Sequence, residues 1–193
     1  MNIPVLALPR EYAEIEPQLS RLWAESLASM RLLKGANLEA FEAEIAAFTG
    51  AAYAVGVASG TDALALSLIA VGVRPGDEVL LHANGFTADV EAIRIAGAQP
   101  VLVDVEADGY GPDPEALERG VTARTRAVLV VHMYGMPVEM APIQEICRRR
   151  GLRLVEDGSH DHGARRDGRR ESVAAGLCRD IICLLMCRGR MQP

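Results

Sequence analysis

The residues best suited to chemistry lie where an apolar stretch ends, in the segment LVEDGSHDH at positions 154–162. Asp157 directly follows hydrophobic residues, and a carboxylate in such a place is costly unless a cation faces it. The protonated ring nitrogen of a ligand would supply that cation. His160 and His162 could instead join Asp157 or Asp161 in a metal site, or hydrogen bonds could simply tie down the turn. Two histidines two positions apart on a turn cannot be assigned to one face, so we do not expect a metal.

A second candidate site is the segment SGTD at positions 59–62, which lies between a predicted strand and a predicted helix. At a helix N-terminus, unpaired backbone N–H groups and the positive end of the helix dipole favour a phosphate. Gly60 would allow close approach to the backbone, and the Thr61 hydroxyl could add a donor. Plain N-capping explains the segment equally well. Neither G-x-G-x-x-G after a strand nor G-x-x-x-x-G-K-S/T occurs, so the common nucleotide-binding loops are excluded.

A third candidate is Phe86, which stands between a predicted strand and the next helix in a chain with only 4% aromatic residues. Its ring could lie flat against a planar ligand. A single phenylalanine near a turn can also be a core residue, and the sequence leaves both interpretations open.

Apolar periodicity predicts the elements that must position these residues. A first helix is predicted from Ile15 to Met30, and a second one ends at Gly50. After them, apolar strands and amphipathic helices alternate. Strands are predicted in AYAVGVAS, DEVLLHA, QPVLVDV, RAVLVVHMYG and LRLVED, and helices in TDALALSLIAVG, TADVEAIRIAG, PDPEALERGV and MAPIQEICRRRG. This order predicts an α/β fold with a mostly parallel sheet flanked by helices, whose sites gather at the carboxyl ends of the strands.

Composition excludes several classes of function. The formal net charge of −6 argues against a nucleic-acid surface, and the run RRDGRR (165–170) is expected to be a solvated loop. No apolar stretch is long enough to span a bilayer, and the N-terminus lacks a signal-peptide pattern, so a cytoplasmic protein is expected. The four cysteines do not match the spacing of zinc sites.

Taken together, the motifs resemble the DegT/StrS-type sugar aminotransferases, a family of fold-type-I enzymes that depend on pyridoxal 5'-phosphate (PLP). The matching segments follow the family's order over residues 20–165. They are KGANLEAFEAEIAAFTGA, ASGTDALALSL, GDEVLLHANGFTADVEAI, GAQPVLVDV, VVHMYGMPVEM and LVEDGSHDHGA. The resemblance implies the large domain of an aspartate-aminotransferase-like fold, without the family's small C-terminal domain.

The resemblance also implies a role for each candidate residue. Gly60 and Thr61 correspond to the cup for the cofactor phosphate, and Phe86 to the aromatic residue that stacks on the pyridine ring. Asp157 corresponds to the carboxylate that pairs with the pyridinium nitrogen and keeps the ring an electron sink. His160 falls where family members carry Gln or His near the 3-hydroxyl group. His162 is expected to be structural.

The lysine that holds the cofactor as a Schiff base in the family has no counterpart. The segment AGLCRDIICLLMCRGRMQP aligns thinly with the family's lysine motif, and Arg190 occupies the lysine position. A guanidinium stays protonated and cannot form the Schiff base. The only lysine in the sequence, Lys34, does not match the catalytic position. PLP could still bind noncovalently, but turnover should fall by orders of magnitude.

We therefore interpret residues 1–170 as the N-terminal part of a PLP-binding large domain and 171–193 as a divergent or frameshifted tail. The implied reaction transfers an amino group from an amino acid, often glutamate in the family, to a free or nucleotide-linked keto-sugar, in a homodimer. These 193 residues are expected to be inactive. The alternative is a noncatalytic homologue that binds PLP or a sugar nucleotide, or that partners an intact aminotransferase.

Overall fold

The computed structural model describes residues 7–166, 169–170 and 181–183. The chain divides into two compact units, residues 1–56 with 188–193 and residues 57–187. Within the described residues, no helix is both long and apolar enough to cross a membrane.

The first unit contains the two helices that the sequence predicts. They are α1, Leu8–Ser29, and α2, Ala36–Thr49. Gly50 ends α2 in the left-handed conformation at φ 71°, as its position predicts. None of the 22 residues of α1 is buried, and Trp23 is 63% exposed. The predicted helices are therefore confirmed, while α1 presents apolar side chains to solvent.

The second unit is built on a parallel sheet. Its elements are α3 (Gly60–Ala70), β1 (Glu78–His82), α4 (Thr87–Ile95), β2 (Gln99–Val103), α5 (Pro114–Gly120), β3 (Thr125–Val131), a 3-10 turn (Met133–Gly135), α6 (Met140–Arg150), β4 (Arg153–Asp157), β5 (Arg165–Arg166), β6 (Arg169–Arg170) and β7 (Ile181–Cys183). The strand order in the sheet is β2-β1-β3-β4-β7. Strands β5 and β6 form a separate antiparallel pair. The α/β fold and the predicted order of strands and helices are confirmed from α3 to β4.

Two apolar clusters fill the two faces of this sheet because successive strand residues point to opposite sides. Val79 and Leu81 of β1 pack with the side chains of α3 and α4, whereas Leu80 packs with those of α5 and α6. Strands that are apolar on both faces are typical of a parallel sheet covered by helices. On β4, Val155 belongs to the α3–α4 face and Leu154 to the opposite one.

The strand predicted in AYAVGVAS is wrong. Residues 51–59 form no strand, and Val55 is 79% exposed. A strand exists only through hydrogen bonds to a neighbour, and none of the described strands pairs with this segment. Apolar composition alone cannot supply that partner.

The tail also differs from expectation where it is described. Ile181–Cys183 forms β7, which pairs in parallel with β4 and sets Cys183 opposite Asp157. None of the strands predicted from the sequence lies in this stretch. Residues 171–180 and 184–193, with Arg190 and its position in the lysine motif, lie outside the described residues, and the boundary at 170 stays a prediction.

Candidate functional site

Asp157 is the last residue of β4 and is only 5% exposed. Its side chain points to the same face of the sheet as Val155, the face that α3 and α4 cover. Oδ1 accepts hydrogen bonds from the Ser159 backbone N–H at 2.9 Å and from the Ser159 hydroxyl at 2.5 Å. These bonds do tie down the turn, and because both go to Oδ1, they leave Oδ2 as the oxygen that can meet a ligand.

The N-terminus of α3 is capped by Ser59. Its Oγ accepts a hydrogen bond from the Asp62 N–H at 3.1 Å and donates one to the Asp62 carboxylate at 2.9 Å. The N–H groups of Gly60 and Thr61 are bonded to no acceptor within the described part of the chain, as expected for the first turn of a helix. Capping therefore accounts for Ser59 and Asp62, and it leaves two amides for an anion.

Phe86 immediately precedes α4, and its ring is 43% exposed, so Phe86 is not a core residue. Its backbone N–H donates to Oδ2 of Asp89 at 2.9 Å. The loop from β1 into α4 thus holds an exposed aromatic residue after the carboxyl end of β1, and its stacking on a planar ligand stays a prediction.

Asp89 is a residue of this site that the sequence analysis did not identify. It is fully buried in the first turn of α4, and its Oδ1 has no hydrogen-bond partner among the described residues. Burial, and then the charge of Asp157, raise the pKa of Asp89 to about 8. In the sequence, Asp89 lies among apolar residues in the first turn of α4. Acidic residues are common at that position in helices, so this context does not distinguish Asp89 from an ordinary capping residue.

The turn that follows β4 carries both histidines. The Gly135 backbone, at φ 78°, lies so close to the carbonyl oxygen of His160 that a Cβ there would come within 2.9 Å. Neither ring nitrogen of His162 has a hydrogen-bond partner among the residues described. Burial lowers the pKa of His162, and the nearby Asp157 carboxylate opposes that shift. His160 and His162 therefore both lie on the turn that follows Asp157, and the backbone of His160 lies against Gly135 in the loop after β3.

The opposite face of the sheet has its own buried polar network. Nδ1 of His132 accepts the Val138 N–H at 3.1 Å, so the neutral ring carries its proton on Nε2, which lies 3.2 Å from Oε2 of Glu156. His82, at the end of β1, accepts the Val131 N–H on Nε2 at 3.0 Å. These bonds join the ends of β1, β3 and β4 and hold the edge from which Asp157 projects.

In the described ranges, no three His, Cys, Asp or Glu side chains come together in a way that could hold a metal ion. Asp157 ends β4, Phe86 lies in the loop after β1, and His160 lies on the turn after β4, so all three are at the carboxyl ends of strands of one parallel sheet.

Comparison with known proteins identifies the same family as the motifs. Residues 14–177 match the DegT/DnrJ/EryC1/StrS aminotransferase family, so the match extends on both sides of residues 20–165, which carry the family's motifs. The dTDP-3-amino-3,4,6-trideoxy-alpha-D-glucose transaminase of Streptomyces venezuelae is 44% identical over 178 residues, 90% of this chain and 47% of that protein.

Solved structures agree in fold. The crystal structure of S. venezuelae DesV matches with a TM-score of 0.83 and 43% identity, over 87% of this chain and 45% of that one. NtdA from Bacillus subtilis, solved with its bound cofactor PMP, matches with a TM-score of 0.78 and 34% identity, over 84% of this chain and 38% of that one. The chain spans about half the length of the relatives that it matches. On the family match, which covers most of its residues, this chain belongs to the DegT/DnrJ/EryC1/StrS aminotransferase family.

Proposed function

We propose that the chain binds PLP, or its amine form, noncovalently at the carboxyl edge of the sheet. Three features of the described residues fit this cofactor. A buried carboxylate ends β4, two unpaired amides begin α3, and an exposed aromatic ring precedes α4. An anionic phosphate, a cationic ring nitrogen and a flat ring need these three partners.

Each residue has a separate part in this proposal. The amides of Gly60 and Thr61 would hold the phosphate, and the Phe86 ring would lie against the pyridine. Oδ2 of Asp157 would accept the hydrogen bond of the ring nitrogen while the Ser159 bonds to Oδ1 keep the carboxylate oriented. His160 would lie near the 3-hydroxyl group. When bound, the cofactor supplies an electron-accepting ring for transfer of an amino group.

Full transamination requires an amine that this site does not offer. Lys34 lies in the first unit, in the turn between α1 and α2, at φ 48°. The position aligned with the family's lysine is Arg190, whose guanidinium cannot become a neutral nucleophile. We therefore propose cofactor binding with little or no turnover. In the family reaction, the substrates would be an amino-acid donor such as glutamate and a free or nucleotide-linked keto-sugar.

The buried carboxyl group of Asp157 carries this proposal, and a PLP titration followed by the cofactor's absorbance tests it. Asp157→Asn should weaken PLP binding by about 10- to 100-fold, because a hydrogen bond to a charged group contributes about 1.5–3 kcal/mol. Glu91→Gln is the matched control, since Glu91 is an exposed carboxylate to which the proposal gives no part in binding. Equal affinities for wild type and Asp157→Asn would contradict the proposal.

Borohydride reduction tests the missing lysine directly. After incubation with PLP, reduction and proteolysis, mass spectrometry should find no pyridoxyl group on Arg190. A covalent adduct at that residue would show that our interpretation of the lysine position is wrong.

A second candidate function is pairing with another chain, either a second copy or an intact homologous aminotransferase. The exposed apolar side chains of α1, including Leu19, Trp23 and Leu27, favour it. Co-purification with a full-length aminotransferase, or self-association of this chain, would support this role, and a monomer that binds PLP would support the first proposal alone.

A further inference from the structure

The connections of the sheet change sides between β1 and β3, which are neighbours in the strand order. After β1 the chain enters α4 on one face, and after β3 it enters α6 on the opposite face. Where the connections of neighbouring parallel strands diverge in this way, a crevice opens between their loops, and α/β proteins bind ligands there. Phe86 lies in the loop on the β1 side of this crevice, and the loop after β3 forms the other side.

The loop after β3 presents Tyr134, whose backbone lies in the left-handed region at φ 58°. A tyrosine is strained in that conformation and keeps it only where the surrounding structure holds it. The Met136 N–H holds this turn by donating to the Met133 carbonyl oxygen at 3.0 Å, while the Tyr134 ring is 74% exposed. An aromatic residue that is held rigidly in solvent is suited to binding a ligand rather than to packing.

Two contacts place this loop beside the proposed cofactor site. The His132 N–H donates to the Asp157 carbonyl oxygen at 3.1 Å. A Cβ on Gly135 would come within 2.9 Å of the His160 carbonyl oxygen, so these two backbone segments touch. Tyr134 lies between the two contact points in the sequence and is therefore next to the turn that follows β4.

Tyr110, in the loop between β2 and α5, extends the aromatic surface. The ring centroids of Tyr110 and Tyr134 are 5.1 Å apart, in an edge-to-face arrangement at 72°. The backbone N–H of Glu106 donates to the Gly111 carbonyl oxygen at 3.0 Å, and its Oε1 accepts the Gly111 N–H at 3.1 Å. These bonds fix the loop, and Tyr110 is 42% exposed, so the pair of rings is rigid and open to a ligand.

The loop of Tyr110 is acidic, which limits the ligands that this surface can take. Residues 104–113 contain no lysine, arginine or histidine, and they include four acidic residues, Asp104, Glu106, Asp108 and Asp113. Carboxylates repel anions and accept hydrogen bonds from hydroxyl groups. Of the substrates in the family reaction, glutamate and the phosphates of a sugar nucleotide are anionic, whereas the sugar ring is uncharged. The C–H groups of such a ring can pack on an aromatic face, so the surface favours the sugar ring.

We propose that Tyr134 and Tyr110 form a sugar-binding wall of this crevice, which packs against the hexose ring of a nucleotide-linked keto-sugar. Tyr134 supplies the aromatic face, and Tyr110 orients that ring through the edge-to-face contact. The phosphates bind away from this wall because the acidic loop repels them. This inference rests on the proposed function, since it places the sugar beside the proposed cofactor site.

Saturation-transfer difference NMR tests the wall, with dTDP-glucose as the probe because it lacks the keto group and cannot react. In the wild-type chain, the hexose protons should receive more saturation than the thymine protons. Tyr134→Asn should weaken binding of the probe by about threefold to tenfold, because it removes the aromatic face. Asparagine tolerates the left-handed conformation, so the turn should be retained. Tyr134→Phe keeps the ring and should bind the probe like the wild type.

Tyr53→Ala is the matched control, since Tyr53 is 86% exposed, lies in the first unit and has no part in the proposal. It should leave the hexose signals unchanged. Tyr110→Ala is the second variant and should also weaken binding of the probe, so the test does not depend on one substitution. Wild-type affinity in both Tyr134→Asn and Tyr110→Ala, or saturation confined to the thymine protons, would overturn the inference. Loss of self-association in Tyr134→Asn without a change in probe binding would identify a contact between copies instead.

A PLP titration of the same variants separates this inference from the proposed function. Tyr134→Asn should bind PLP like the wild type, because the proposal for the cofactor gives Tyr134 no part. If the wild-type chain binds PLP but transfers no saturation to the hexose protons, the sugar-binding wall is refuted and the cofactor site stands. If the hexose binds through Tyr134 and PLP does not bind, the proposed function fails and the wall remains.

Discussion

At the scale of the residue, the sequence indicates Asp157 but not the residue beside it. The apolar pattern of the strand predicts that its last residue is buried, and a carboxylate is unexpected at such a position. Asp157 is indeed buried there. Asp89 shows no such conflict, because acidic residues are common in the first turn of a helix. Its burial depends on how α4 lies on the sheet, which no local pattern records.

The burial of Asp89 should make stability depend on pH. The pKa of Asp89 rises from an ordinary 3.8 to about 8 in the folded chain. Between these values the folded chain holds a proton that the unfolded chain has released, so the free energy of unfolding falls as pH rises through this window. In Asp89→Asn this fall should be much smaller, as measured by urea denaturation at pH 5 and pH 8. An equally steep fall in Asp89→Asn would contradict the assignment.

The buried His132, on the opposite face of the sheet, should stabilise the fold through its contacts with Val138 and Glu156. His132→Ala leaves the Val138 N–H without its acceptor and Glu156 without the His132 ring. Breaking a buried pair of this kind costs about 3–5 kcal/mol. Glu145→Ala, which removes the exposed ion pair with Arg148, is the control and should change stability little. Equal urea midpoints for the two variants would show that the network is not important for folding.

At the scale of the element, local patterns predict helices and central strands well. From α3 to β4 the periodicity and the glycine stops lie within the segments themselves, so the sequence contains the required information. The failures at residues 51–59 and at β7 concern strands whose existence depends on a neighbour. Strand pairing is a property of two distant segments, and one segment's composition cannot reveal it.

Helix α3 offers a matched test of core packing. Leu68 is completely buried in the face shared with α4, whereas Leu66, two positions earlier, is 52% exposed. Leu68→Ala should lower the free energy of unfolding by about 2–5 kcal/mol, and Leu66→Ala by no more than about 0.5 kcal/mol. Denaturation followed by circular dichroism measures both. Similar losses would mean that α3 does not pack on the sheet as described.

At the scale of the whole molecule, the chain covers about half the length of its relatives and exposes apolar side chains along α1. Such a surface favours association through burial of apolar area. The homodimer that the family resemblance implies would cover this surface, and it stays a prediction that a solution measurement tests.

Sedimentation equilibrium should show self-association that depends on concentration. Trp23→Glu should weaken it about tenfold or more, because burying a charge at an apolar contact is unfavourable. Arg21→Glu is the control, since it adds negative charge to the same helix while leaving every apolar side chain in place. A wild-type chain that remains monomeric at all concentrations would contradict the expected homodimer.

The exposure of Trp23 has a consequence for spectroscopy. It is the single tryptophan of the sequence, and it lies on the surface of α1 rather than in the sheet. Its fluorescence should already have the red-shifted maximum of a hydrated indole in the native chain. Melting of the sheet will therefore be nearly silent in an emission spectrum, and a blue shift on concentrating the sample will report a second molecule covering the helix.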